Sequence, residues 1–258
     1  MIAWHRLDRL LCLLAFLLPA LPAQADLADT IARIKPSLVV VGTFNKLKSP
    51  AFAMRGTGFV VGDGHLVATN AHVVPDAPGT ETGQDALVIL VRQGEQTHLY
   101  PARLMMRDVD HDLALLRISG PALPALAFGN SNEVREGQSV AFSGFPIGGA
   151  LGFSPVTHRG TISSITPIAI PIGNSQDLKN KSIRRLRSGA FPIFQLDGTA
   201  YPGNSGGPLF DPDSGEVLGV INMVFVKSTK EAVLEKPSGI SYAIPVQYLA
   251  SLLVNIKP

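Results

Sequence analysis

Gly203-Asn204-Ser205-Gly206-Gly207-Pro208-Leu209 decides how this chain is read, because it holds a serine between glycines. Upstream stand Thr69-Asn70-Ala71-His72-Val73-Val74 and Asp110-His111-Asp112-Leu113-Ala114-Leu115-Leu116, so a histidine, an aspartate and a serine occur in that order. The order separates folds. Gly-Asn-Ser-Gly-Gly also satisfies the G-x-S-x-G pattern of a nucleophile elbow, in which the partner histidine follows the serine. The six histidines are His5, His65, His72, His98, His111 and His158. None follows Ser205, so that architecture is excluded by counting. An order beginning with aspartate would need an acid ahead of His72. The nearby candidate, Asp63, lies in Asp63-Gly64-His65, which reads as a hairpin turn. What remains is histidine, aspartate, serine, one of the orders in which a triad is built.

The N-terminus sets the compartment. Arg6 and Arg9 precede an apolar run from Leu10 to Leu18, then Pro19 to Pro22 and the small-residue site Ala23-Gln24-Ala25. This pattern predicts a secretory signal peptide over residues 1–25, cut after Ala25. The run is shorter than the roughly 20 apolar residues of a spanning helix, so no stable membrane insertion is expected after cleavage. The single cysteine, Cys12, and the single tryptophan, Trp4, both lie in this segment. Residues 26–258 therefore carry no disulfide, and are long enough to bury a core without one. A cysteine-free exported chain fits a bacterial envelope and predicts a periplasmic or secreted protein. The formal net charge is only +2, which does not suggest nucleic acid as a partner. Lys179, Lys181, Arg184, Arg185 and Arg187 form a local basic cluster. It reads as a solvated loop or, more sharply, as a docking or self-cleavage loop.

Residues Asp26 to Lys35 show helical spacing of Leu27, Ile31 and Ile34 and stop at Pro36. Short β-rich runs follow, punctuated by glycine: 38–42, 57–61, 65–69, 86–91 and 113–118. Gly120 to Glu136 reads as a crossover. The rhythm resumes at 139–142, 160–165, 191–195, 208–210, 217–222 and 239–244, and Pro245 to Ile256 reads as a closing amphipathic helix. The expected class is all-β, a barrel or sandwich in two halves. His72 and Asp112 fall in the first half and Ser205 in the second, which predicts a site in the cleft between them.

His72 in Thr-Asn-Ala-His-Val-Val, Asp112 in Asp-Leu-Ala-Leu-Leu, Ser205 in Pro-Gly-Asn-Ser-Gly-Gly-Pro-Leu and the ending Gly239-Ile240-Ser241-Tyr242-Ala243-Ile244-Pro245 resemble the protease domain of the bacterial high-temperature-requirement (HtrA/Deg) serine proteases. The resemblance covers nearly all of residues 26–258. It implies a chymotrypsin-like pair of six-stranded β-barrels packed at right angles, with short N-terminal and C-terminal helices. The N-terminal barrel is expected at about 36–125 and the C-terminal barrel at about 136–246. Trimers through the N-terminal segment are implied too, although Leu27, Ile31 and Ile34 would serve equally in packing against a barrel. Two departures stand out. PDZ domains usually follow this protease domain, and the chain ends about a dozen residues past the terminal motif. The segment from Thr166 to Phe194 is also longer than the family pattern and holds the basic cluster.

The chemistry follows residue by residue. Ser205 is a poor nucleophile on its own and needs a base, His72, within hydrogen-bond reach. Asp112 leads into the apolar run from Leu113 to Ile118. Of Asp108, Asp110 and Asp112 it is therefore the carboxylate expected to be buried and to fix the histidine tautomer. His111, its neighbour, is expected on the opposite face and exposed. His65, His98 and His158 read as surface or turn residues. Backbone amides of Gly203 and Ser205 would form an oxyanion hole. No metal is expected at Asp108, Asp110, His111 and Asp112, which lack a second ligand cluster, and no cofactor is expected. Asn204 stands where a zymogen-type switch needs an aspartate, so no propeptide activation is expected. Thr199, six residues before the serine, argues against a preference for Lys or Arg. The substrate pocket is read as Thr199, Ala200 and Tyr201 on one side and Ile221, Asn222 and Met223 on the other. Ile221 to Met223 would also offer backbone to an extended peptide. Val, Leu, Ala or Met is the expected residue before the cleaved bond.

The expected function is a serine endopeptidase hydrolysing unfolded or damaged envelope proteins through an acyl-enzyme. The alternatives are an esterase-like hydrolase, a regulatory protease with a dedicated partner, and a low-turnover peptide-binding or chaperone-like module on the same fold.

Overall fold

A computed structural model describes residues 26–76, 85–94, 96–146, 152–168, 191–222 and 240–256. The segment 1–25 expected to be a signal peptide, the basic cluster and Met223 lie outside these. Helix α1 (Leu27–Ile34) is capped by Asp26, whose carboxylate accepts the Ala28 N–H. Pro36 then closes a 3₁₀ turn over Lys35–Ser37. Six strands form a closed barrel in the order β1-β2-β3-β6-β5-β4: β1 (Leu38–Phe44), β2 (Phe52–Val61), β3 (Leu66–Asn70), β4 (Ala86–Gln93), β5 (Gln96–Asp108) and β6 (Leu113–Ile118). Six more close a second barrel in the order β10-β11-β12-β9-β8-β7: β7 (Ser139–Gly144), β8 (Val156–Ile168), β9 (Phe191–Asp197), β10 (Pro208–Phe210), β11 (Val217–Asn222) and β12 (Ile240–Pro245). Helix α2 (Val246–Val254) follows directly.

Several strands read as unbroken apolar runs because both of their faces are buried. In β1, Val39 and Val41 point into the first barrel with Val60, Val67, Ile89 and Leu116. Val40, between them, joins Phe59, Leu113 and Leu115 in a second core that also contains Val217, Val220 and Ile244 of the other barrel and Leu249 and Leu252 of α2. That shared core holds the barrels together, so the cleft between them is built on rigid walls. Truncating Leu249, fully buried at its centre, would cost about 2–5 kcal/mol.

The first helix binds the second barrel although it precedes the first. Ile34 packs on Ala141 and Phe210, Thr30 donates to the Asp213 carbonyl at 3.2 Å and Arg33 to the same carbonyl at 3.3 Å. The expected crossover occupies 119–138. It is pinned by the Leu126 N–H to the Val60 carbonyl and by a bridge between Phe128 and Val217.

Three elements differ from expectation. Strand β5 was not foreseen, because Pro101 interrupts its sequence and a bulge between Leu104 and Met106 spoils the alternation. His111 and Asp112 lie in the turn before β6 rather than on a strand, so the argument from opposite faces does not apply. His158 is not a surface or turn residue. It sits on β8 opposite Phe142 and stacks on that ring at 4.9 Å between centroids.

Candidate active site

The register of β3 against β6 brings the histidine and the acid together. Asn70 pairs with Leu113 at the end of the ladder, and both chains leave the sheet there. The departing 3₁₀ turn Ala71–Val73 carries His72, while Asp112 immediately precedes β6. Asp112 has φ of 53°, the left-handed region, which costs an L-residue about 1–2 kcal/mol and which aspartate tolerates better than most. Five hydrogen bonds hold it there. Its carbonyl accepts from the Asn70 side-chain amide and the Ala71 N–H, both at 3.0 Å. Its Oδ1 accepts the His72 N–H at 2.9 Å, and its Oδ2 meets His72 Nδ1 at 2.6 Å and the Asn222 amide at 2.8 Å. The Asp112 side chain is only 9% exposed. An ionised carboxylate can only accept, so the imidazole proton sits on Nδ1 and Nε2 is left as an acceptor.

Ser205 is placed by backbone rather than by side chains. Gly203 has φ of 103°, and a Cβ there would stand 2.2 Å from the Phe145 carbonyl; Gly206 has φ of 87°, with a Cβ 2.2 Å from the Thr57 carbonyl. Only glycine fits either position. The Ser205 carbonyl accepts the Thr57 N–H at 2.9 Å, and Gly206 and Gly207 exchange hydrogen bonds with Ile221 at 2.9 and 2.8 Å. Among the described residues the N–H groups of Gly203 and Ser205 donate to no other residue, whereas those of Asn204, Gly206 and Gly207 are all used. Asn204 is fully buried.

Thr57 is the residue that sequence reading missed. Its hydroxyl donates to the Gly203 carbonyl at 2.6 Å and accepts the Phe145 N–H at 3.0 Å, so one side chain of the first barrel braces the serine loop of the second. Two arginines fix the chain beyond His72. Arg55 donates to the Val73 carbonyl at 2.8 Å, and Arg107 reaches the Val74 and Pro75 carbonyls and the Asp76 carboxylate. No local motif marks these residues, because each acts across a fold contact.

The residues read as pocket walls divide. Thr199 and Tyr201 are half-buried, whereas Ala200 and Ile221 belong to the core of the second barrel. The Ile221 backbone is engaged with Gly206 and Gly207. Asn222 turns its amide to Asp112, a positioning task rather than a wall.

His111, expected exposed, is half-buried between the rings of Tyr248 and Phe191. Its Nδ1 lies 2.6 Å from Asp108 Oδ2. Burial pushes the Asp108 carboxyl up, but the side-chain and backbone hydrogen bonds from His111 outweigh it and hold the group below its usual value. Burial alone pushes the His158 imidazole down, and its Nε2 has no partner among the described residues. Among the described residues no group of three or more His, Cys, Asp or Glu could hold a metal ion, and no helix is long and apolar enough to cross a membrane.

Residues 56–220 match the trypsin-like peptidase domain. A probable periplasmic serine endoprotease, DegP-like, of Pseudomonas fluorescens is 32% identical over 78% of this chain and 35% of its own length. The mitochondrial serine protease HTRA2 of Drosophila pseudoobscura pseudoobscura is 33% identical over 79% of this chain and 39% of its own length. The chain thus spans little more than a third of the curated relatives it matches. Among solved structures, the HtrA-type protease AlgW with tripeptide aligns over 90% of this chain and 63% of that one, with a TM-score of 0.63 and 25% identity. The closed double barrel, the matching domain and these relatives together place the chain in the trypsin-like peptidase domain family, in its HtrA/Deg type.

Proposed function

We propose that the chain is an exported serine endopeptidase that cleaves unfolded or damaged envelope proteins. The observation that carries this reading is the buried Asp112 carboxylate 2.6 Å from His72 Nδ1, which leaves Nε2 free to act as a base. In the reaction Ser205 Oγ attacks the scissile carbonyl carbon while its proton passes to His72 Nε2. The developing oxyanion is taken by the N–H groups of Gly203 and Ser205, each worth about 3 kcal/mol of transition-state stabilisation. The peptide C–N bond then breaks, the imidazolium gives its proton to the leaving amine, and the acyl group stays on Ser205. Water, deprotonated by the same imidazole, attacks the acyl carbon, the ester bond to Ser205 breaks as the imidazolium returns its proton to Ser205 Oγ, and the acid is released. Asp112 stays ionised throughout and stabilises the imidazolium.

The likeness to a DegP-like periplasmic relative and the N-terminal sequence pattern support a periplasmic or secreted location. Peptide substrates fit the tripeptide complex of the similar protease AlgW. The test is labelling by a fluorophosphonate probe together with cleavage of an unfolded protein such as casein, in the wild type and in Ser205→Ala. Both activities present in the wild type and lost in the variant support the reading. Labelling without cleavage would favour an esterase or a dedicated substrate. A folded wild type with neither would favour the binding module.

A further inference from the structure

The turn that presents Asp112 is tied to elements far from it in sequence. Asp108 Oδ1 accepts the N–H groups of Asp110 and His111, both at 3.0 Å, and its Oδ2 meets His111 Nδ1 at 2.6 Å. An Asx-type turn of this kind would close with almost any residue at position 111, since the backbone bonds do not depend on the side chain. The imidazole adds something else. It stacks on Tyr248 of α2 with centroids 4.1 Å apart and planes 19° apart, and meets Phe191 of β9 edge-on at 4.6 Å. Phe191 and Tyr248 also touch each other, at 5.3 Å and 69°. The helix that supplies Tyr248 is itself anchored, because Leu249 and Leu252 are buried in the core shared by the two barrels. The residue bonded directly to Asp112 is therefore clamped between the second barrel and the C-terminal helix.

This clamp sits where small rotations matter. Asp112 holds a left-handed backbone, and its carboxylate reaches His72 only if the His111–Asp112 peptide keeps its orientation. We propose that His111 and Tyr248 are positioning residues of the catalytic site: the Tyr248–His111–Phe191 stack locks the Asp108–Asp112 turn so that the Asp112 carboxylate stays aligned on His72 Nδ1. The claim rests on the triad reading above and deepens it. It makes α2 a part of the catalytic apparatus although no residue of it touches the reacting atoms.

The test compares Tyr248→Ala with Tyr248→Phe in the purified protein, using a peptide that the wild type cleaves and the downfield proton resonance of the His72–Asp112 hydrogen bond. Tyr248→Ala should lower kcat roughly tenfold while KM stays within about twofold, because alignment is lost and substrate contacts are not. Its downfield proton should broaden or move. Tyr248→Phe keeps the ring and should restore both readouts. Wild-type kcat and an unchanged proton in Tyr248→Ala would overturn the proposal, as would an equal loss in Tyr248→Phe. If Tyr248→Ala does not fold, His111→Ala, which takes the ring out of the stack while the backbone bonds to Asp108 can still form, should show the same fall in kcat at unchanged KM. Wild-type kcat there would overturn the proposal. Turnover that survives Ser205→Ala would instead overturn the triad reading, whatever the Tyr248 variants do.

Discussion

Two aspartate–histidine pairs lie a few residues apart in this protein with nearly the same bonding. In each, Oδ2 of the acid meets Nδ1 of the ring at 2.6 Å and Oδ1 accepts the backbone N–H of the same histidine, at 2.9 Å in Asp112–His72 and 3.0 Å in Asp108–His111. Their surroundings differ. Asp108–His111 is a local pair within one turn, whereas Asp112–His72 joins the turns at the ends of two neighbouring strands and takes a further donor, Asn222, from the other barrel. The His111 ring is stacked between aromatic rings. The His72 side chain is 40% exposed. Hydrogen-bond geometry alone therefore does not tell the two pairs apart; the setting of the ring does, stacked among aromatic rings in one and more open in the other.

The contrast can be tested from its strongest consequence downward. Asp112→Asn should lower kcat on the order of 10⁴-fold with the fold intact, since an amide at this position favours the wrong imidazole tautomer. Circular dichroism and steady-state turnover check it, and a fall of only a few-fold would mean that Asp112 is not the orienting acid. Asn222→Ala removes a donor from the same buried carboxylate and should cost about 1.5–3 kcal/mol of stability, read by denaturant titration. No change would show that the cross-barrel bond is idle.

Asp108→Asn acts on the other pair. The Asp108 carboxyl is held below its ordinary value in the folded protein. Its contribution is therefore present above the unfolded value of about 3.9 and is lost as pH falls through the folded one. The variant should be less stable by about 1 kcal/mol at neutral pH, with the gap closing below about pH 4. A gap that stays constant with pH would contradict the charge-based account. His158→Phe should show the smallest effect. Burial holds that imidazole below its ordinary value in the folded state, while the unfolded chain takes up a proton near pH 6.5. Wild-type stability should therefore fall between pH 7.5 and 5, by a margin that the variant is spared. Parallel melting curves for the two proteins would refute this.

Much of this arrangement was legible in the chain. Strands β6, β10 and β11 lie where the apolar runs end, because glycine, proline or a polar turn bounds each of them. The order His72, Asp112, Ser205 follows from counting and an all-β class in two halves from spacing, whereas the pair of six-stranded barrels is what the family resemblance implies. Residues that act across the fold were not legible. Thr57, Arg55 and Arg107 look like ordinary strand residues until barrel closure brings them to the serine loop and the His72 turn. Asn222 reads in the sequence as a pocket wall, yet only the pairing of β11 with β12 and the meeting of the barrels turn its amide to Asp112. His111 departs from expectation for a related reason: it lies in a turn, where strand alternation does not hold, and the rings that bury it come from β9 and α2. Strand β5 was hidden by Pro101, which sits at a strand position where proline is uncommon.

The most direct measurement is the rate of fluorophosphonate labelling of Ser205 in His72→Ala and His111→Ala, made side by side in folded protein. The account predicts that His72→Ala abolishes labelling, while His111→Ala labels at a rate reduced roughly tenfold. Robust labelling of His72→Ala, or a greater loss in His111→Ala, would contradict it and assign the base to the wrong one of two nearly identical pairs.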